Sequence, residues 1–171
     1  MRLGPITGRY MNKEVSIVFF TTPFNWKRPS RWIAPLIRKI TGSPFSHVGI
    51  AFKEEKESMF AESALCGVRI IPFSAIESDI VLTSINPQVS DKNAVEAIVE
   101  RAMSRVGRTS YDFRNLFIKQ LVFQLFGVWI PEKKAGKELE RFICSEYVAW
   151  CLDLEEPHKY SPASLYNKLQ F

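Results

Sequence analysis

The stretch Arg141-Phe142-Ile143-Cys144-Ser145-Glu146-Tyr147-Val148-Ala149-Trp150-Cys151-Leu152 decides how the chain is read. Cys144, Val148 and Cys151 recur at i, i+4 and i+7, and Tyr147 and Leu152 widen the stripe. That spacing predicts a helix beginning at about Cys144 with its apolar side inward. A helix N-terminus presents unpaired N–H groups and the positive end of the backbone dipole, which together favour a thiolate over a thiol. A lone cysteine in such a place is most simply a small core residue. A second stretch, Ser46-His47-Val48-Gly49-Ile50, raises its interest.

Around that second stretch, Val48, Ile50 and Phe52 alternate with His47, Gly49 and Ala51. Lys53-Glu54-Glu55-Lys56 breaks the pattern and Ser58-Met59-Phe60-Ala61-Glu62 resumes it, which predicts a hairpin. With the turn centred between Glu54 and Glu55, His47 faces Glu62 directly across the ladder, Cβ atoms about 5 Å apart. Gly49 and Ala51 share that face and leave room for a helix or a substrate to approach.

Further out, residues 15–20 read as a buried strand closed by Thr22-Pro23, and 68–71 and 80–85 as further strands, the former ended by Pro72. Ser30 is placed to cap a helix carrying Ile33, Leu36, Ile37 and Ile40, which Gly42 ends. Lys27, Arg28, Arg31, Arg38 and Lys39, interleaved with Trp26 and Trp32, are either an anion-binding face or, more simply, a solvated helix surface. From Ser90 the period becomes helical: Val95, Ile98, Val99, Ala102, Met103 and Val106 form one apolar face, stopped at Gly107. Residues 116–130 predict a mostly buried helix, with Phe113, Leu116, Phe117, Leu121 and Leu125 toward the core. This segment is shorter than a membrane span and is interrupted by Lys119, Gln120 and Gln124. The tail from Glu155 reads as irregular until a short turn at Leu165.

At 171 residues the chain is read as one domain, 1–171, long enough to bury a core. A net charge of +5 mildly favours anionic partners such as cell-wall polymers, anionic lipid or nucleic acid and is too small to choose among them; a nucleic-acid partner is nonetheless not expected. Three cysteines make an odd count, and Cys144 and Cys151 would stand about 10 Å apart along one helix, beyond disulfide reach. A reducing compartment fits better. No continuous apolar segment follows Met1, so a cytoplasmic site of synthesis is expected, with virion association or delivery to the cell envelope left open. The two histidines and three cysteines lack metal-ligand spacing, so neither a metal nor any other cofactor is expected.

A cysteine hydrolase needs a thiolate, a base to exchange its proton, a group that orients the base, and donors for the developing oxyanion. Cys144, His47 and Glu62 are candidates for the first three, and the backbone N–H of Cys144 for the fourth. His158 is a second candidate base, in a Glu-Pro-His-Lys loop with no orienting group evident.

Several segments, in order, resemble the motifs of the circularly permuted NlpC-type branch of the papain-like cysteine hydrolases, the YiiX-like and YaeF-like group. They are Ser46-His47-Val48-Gly49-Ile50; Phe60-Ala61-Glu62 with Gly67-Val68-Arg69; Gly107 with Tyr111-Asp112; Phe142 to Val148; and Ser161-Pro162 before Leu165. The likeness spans roughly residues 15 to 166. It implies an α+β fold, with a small antiparallel sheet packed against the helix that bears the nucleophile, and a His-before-Cys order. By resemblance, Cys144 is the nucleophile, His47 the general base and Glu62 the third polar residue, while Tyr111 helps shape the substrate site. The apolar segment 112–131 looks like an insertion, and the Asn-Cys-Glu-His motif of the lipid-acyltransferase relatives is absent. The function implied is an amidase or endopeptidase acting on a peptide or isopeptide amide, with peptidoglycan stem peptides the leading substrate. One alternative is a lipid acyl amide or ester hydrolase or acyltransferase, with membrane or virion-protein contact through the Phe-rich segment 113–130. The other is a non-catalytic viral or phage structural or binding module.

Overall fold

Residues 15–20 are buried without alternation, Ser16 included, because the strand they form is covered on both sides. The fold is taken from a computed structural model; the described residues are 15–21, 33–54, 57–64, 67–76, 80–87, 91–107, 122, 126 and 142–170. Strand β1 (Val15–Thr21) lies between β2 (His47–Glu54) and β5 (Ile80–Ile85), and β2 continues through β3 (Glu57–Ala64) to β4 (Gly67–Pro72). Among the described residues this makes a five-stranded antiparallel sheet in the order β4-β3-β2-β1-β5. With helices α1 (Ile33–Thr41), α2 (Lys92–Ser104), α3 (Cys144–Cys151) and α4 (Pro162–Gln170), the protein is α+β.

The two faces of the sheet carry separate clusters. Ile17, Phe19, Val48 and Ile50 join Tyr147 and Val148 of α3 in the larger core, all with 0% exposure, and α3 lies against β2 and β3. Each such burial stabilises the fold by about 1.5–3 kcal/mol. Val18, Phe20 and Phe60 form the second cluster on the other face, the face that also carries His47 and Glu62 by strand alternation.

The hairpin turn falls one residue later than the sequence suggests. Glu54 pairs with Glu57 and Ala51 with Phe60, so extending the register sets Gly49, not His47, opposite Glu62. The apolar pattern is blind to this difference, because moving the turn by one residue moves each partner by two and leaves every side chain on its own face. A second correction concerns Gly49. A Cβ there would stand 2.2 Å from Cζ of Phe60 and 2.7 Å from the Ala61 carbonyl oxygen, so Phe60 fills the room expected for a helix or substrate.

Helix α1 ends at Gly42, whose φ of +60° suits a residue without a Cβ. Arg38, one of the basic residues of that segment, donates to the hydroxyl of Thr21 at the end of β1, while Lys39 is exposed. Lys27, Arg28, Arg31, Trp26 and Trp32 lie outside the described residues. Helix α2 is capped by Asp91, which accepts from the Asn93 N–H at 3.1 Å. Its inward stripe is narrower than expected. Ile98 and Ala102 are buried and Val95 and Val99 pack on the core, but Met103 and Val106 are exposed, the latter beyond the last turn.

The tail is more regular than its sequence suggested. A 3-10 turn at Pro157–Lys159 leads into the nine-residue α4, which buries Leu165 completely. Ser161 and Ser164 cap it reciprocally: Ser161 Oγ accepts from the Ser164 N–H at 3.1 Å, and Ser164 Oγ from the Ser161 N–H at 2.8 Å. Tyr111 and segment 112–131, apart from Val122 and Phe126, lie outside the described residues; both of these positions are helical, and Phe126 is 72% exposed. No helix among the described residues is long and apolar enough to cross a membrane.

Candidate active site

Helix α3 begins at Cys144, and its entry is fixed from several directions. Ser63, on the larger-core face of β3, donates from Oγ to the Phe142 carbonyl at 2.6 Å. Ile143 is extended, its N–H donates to Glu146 Oε2 at 3.4 Å, and its carbonyl accepts the first helical bond from Tyr147 at 2.9 Å. Ser145 Oγ donates to the Tyr160 carbonyl at 2.6 Å, joining this turn to the segment before α4. The N–H groups that open any helix have no intrahelical acceptor and favour a negatively charged oxygen, and Cys144 holds the first position of this one.

The far end of α3 is closed by a Schellman arrangement. Asp153 takes φ +59°, the Asp153 N–H reaches the Trp150 carbonyl at 3.1 Å, and the Leu154 N–H reaches the Ala149 carbonyl at 3.0 Å. Tyr147 donates to the Ala102 carbonyl at 2.9 Å, tying the helix to α2.

His47 opens β2, where the Ser46 N–H donates to the Phe20 carbonyl at 2.9 Å, and its imidazole lies beside the Phe20 ring, centroids 6.0 Å apart. The ring reaches diagonally along its face to Glu62, with Nε2 and Oε2 2.5 Å apart. Its other partner is the Cys144 side chain, which stands within hydrogen-bonding reach. With Nε2 held by Glu62, Nδ1 is the nitrogen left to exchange a proton with sulfur. The structure therefore brings Cys144, His47 and Glu62 together, from α3, β2 and β3.

The electrostatics follow from those contacts. Burial pushes the His47 pKa down, but the Cys144 and Glu62 side chains outweigh it and hold the imidazole well above its ordinary value of 6.5. Burial likewise works against ionisation of Glu62, yet His47 and then Arg69 overcome it and bring the carboxyl from 4.5 down to about 2. The imidazolium and the carboxylate are thus the forms the site favours around neutrality. Cys151, seven residues along the helix, is buried, and its thiol is pushed up to about 12.

Sequence reasoning did not assign Arg69, Ser63 or Phe20 to this site. The Arg69 position was readable in principle, because a tight hairpin between β3 and β4 sets Glu62 opposite Arg69. His158 lies on the 3-10 turn, where burial lowers its pKa against the opposing pull of Glu156. Cys66 and Tyr111 lie outside the described residues. Among the described residues no group of three or more His, Cys, Asp or Glu side chains is placed to hold a metal ion. Comparison of the chain with protein-family models and with curated protein sequences finds no match.

Proposed function

We propose that the protein is a cysteine hydrolase of papain-like, circularly permuted NlpC type that cleaves a peptide or isopeptide amide through an acyl-enzyme. Peptidoglycan stem peptides are its leading substrate class. One observation carries the reading: a thiol at a helix start meets an imidazole whose opposite nitrogen is bound to a buried carboxylate. A purely structural histidine has no need of a thiol on one side and a carboxylate on the other.

In the first half-reaction the Cys144 thiolate attacks the carbonyl carbon, a C–S bond forms, and the carbonyl π electrons move to oxygen, where the N–H groups opening α3 receive the charge. The oxyanion collapses, the C–N bond breaks, and the His47 imidazolium passes its proton from Nδ1 to the departing amine. His47, now neutral, takes a proton from water as that water attacks the thioester. The acid is released, the thiolate leaves as the C–S bond breaks, and the imidazolium is regenerated. Glu62 keeps its charge throughout, orienting the ring and stabilising its protonated form. Tyr111 is assigned to the substrate site by resemblance alone.

The test is a panel of peptide, muropeptide, acyl-amide and ester substrates, with mass spectrometry of the enzyme during turnover. A peptide acyl group on Cys144, together with loss of turnover in a folded Cys144→Ala variant, is the expected result. Turnover surviving that substitution, or iodoacetamide labelling Cys144 no faster than Cys66, overturns the reading. A fatty-acyl group trapped on Cys144 moves the substrate class to lipids. No activity on any amide or ester, with partner binding unchanged in Cys144→Ser, marks a non-catalytic module.

A further inference from the structure

Glu62 uses both carboxylate oxygens, and uses them differently. Oε2 meets His47 Nε2, while Oε1 alone accepts two bonds from one guanidinium, from Arg69 Nε at 2.7 Å and Arg69 Nη2 at 2.5 Å. The arrangement follows from the register, since Glu62 and Arg69 face each other across the β3–β4 ladder and their side chains leave the sheet on the same face. Among the described residues the ionisable groups that meet Glu62 are His47 from β2 and Arg69 from β4, and Cys144 of α3 stands beyond the imidazole.

A carboxylate beside a catalytic imidazole can fail in two ways. It can rotate so that its lone pairs leave the ring, or it can take the ring's proton and lose its own charge. Two charge-assisted bonds to a single oxygen restrict the rotation, and the adjacent cation disfavours the protonated carboxyl. The side chain of Arg69 is 47% exposed and that of Glu62 only 8%, so the guanidinium approaches from the solvent side of a largely buried acid.

We propose that Arg69 is a positioning residue that locks Glu62 by Oε1, so that Oε2 alone is offered to His47 and the imidazole is held toward Cys144. The inference rests on reading Cys144 and His47 as a working pair, but its readouts do not depend on turnover. Losing the guanidinium acts on His47 in two opposite senses. Loss of a nearby positive charge moves the imidazole titration to higher pH, whereas loss of Glu62 alignment removes a bond that stabilises the imidazolium and moves it to lower pH.

The experiment compares wild type, Arg69→Ala and Arg69→Lys by the pH dependence of Cys144 alkylation, the NMR titration of His47, and kcat where a substrate is in hand. In Arg69→Ala the His47 titration should move to lower pH, and kcat should fall about 10- to 100-fold with KM little changed. Because the site of the missing side chain opens to solvent, millimolar guanidinium should restore part of the loss and equimolar urea none. Arg69→Lys keeps a cation but cannot place two donors of a rigid fork on one oxygen, so it should fall between the other two. An unchanged or upward titration in Arg69→Ala, or a loss that urea restores equally well, overturns the proposal. If Arg69→Ala does not fold, Arg69→Lys decides: behaviour identical to wild type reduces Arg69 to a bare charge and sinks the positioning role, and a downward titration supports it. A wild type without turnover whose Arg69 variants still shift the titration downward would refute the hydrolase reading and leave this inference standing. A turning-over wild type matched by Arg69→Ala would do the reverse.

Discussion

His47 and Glu62 approach to 2.5 Å, Nε2 to Oε2, from strand positions that do not face each other in the ladder. The imidazole crosses to the acid diagonally, and strands twisted as in any native sheet allow that reach to a long side chain. The pair also couples stability to pH at both ends of the scale. The His47 pKa is raised above its unfolded value near 6.5, so its stabilisation is complete below that value and is lost as pH climbs through the folded one. Glu62 is lowered from 4.5 to about 2, so its contribution is complete above 4.5 and is lost as pH falls toward 2. The second displacement corresponds to about 3 kcal/mol. Thermal unfolding should therefore show a stability plateau between about pH 4.5 and 6.5, and Glu62→Gln should flatten the acid side. A Glu62→Gln variant whose Tm follows the wild-type pH curve below 4.5 would show that the pair does not contribute this way.

In the proposed hydrolysis the same contacts set the pH range of the chemistry. His47 must carry a proton to release the amine, so activity should persist to a pH above 6.5 and decline as the imidazolium is lost. Glu62 is one of the causes that raise the His47 pKa, so Glu62→Gln should move that alkaline limb to lower pH and reduce kcat by roughly 10²–10⁴-fold. A pH–rate profile with the limb unmoved would assign it to another group. His158→Ala should leave the limb in place, because the imidazole that meets Cys144 belongs to His47.

Thiol chemistry should separate the two described cysteines. Cys144 is half-buried at the start of α3, whereas Cys151 is buried with its thiol raised to about 12 by that burial. Brief iodoacetamide treatment of the native protein at neutral pH, followed by peptide mapping, should modify Cys144 and spare Cys151 until the protein is unfolded. Equal labelling of both in the native state would mean that α3 opens far more readily than its packing implies.

The sheet and the helix that opens at Cys144 were legible from the length and spacing of their apolar runs. Residues 15–20 and 80–85 are short runs rich in β-branched or aromatic residues, the His47 hairpin alternates, and the stripe from Cys144 to Cys151 has helical spacing. That His47 and Glu62 share a face could be read because alternation survives an error in the turn. Their facing register could not, because two turns one residue apart bury the same side chains. Helix α4 escaped notice although Ser161-Pro162 with Ser164 is a capping signature with proline at the first helical position, a local signal outweighed by the few apolar residues that follow. The Ser63 hydroxyl on the Phe142 carbonyl had no sequence signal at all, since the two lie 79 residues apart and meet only once α3 is packed.

That last bond supports a prediction about geometry rather than charge. Consecutive residues of β3 leave the sheet on opposite faces, so Glu62 reaches His47 while Ser63 fixes the carbonyl two residues before Cys144. A single dipeptide thus holds both the carboxylate that meets His47 and the approach to Cys144. Ser63→Ala leaves the buried Phe142 carbonyl without that donor, costing about 1–3 kcal/mol of stability. In the proposed reaction it should also slow acylation through misplacement of sulfur, and, because the Cys144 side chain leads the groups that raise the His47 pKa, it should move the His47 titration to lower pH. Single-turnover kinetics beside NMR titration reads both effects, and an unmoved His47 titration in a folded Ser63→Ala protein would mean that the α3 entry does not set the distance from sulfur to the imidazole.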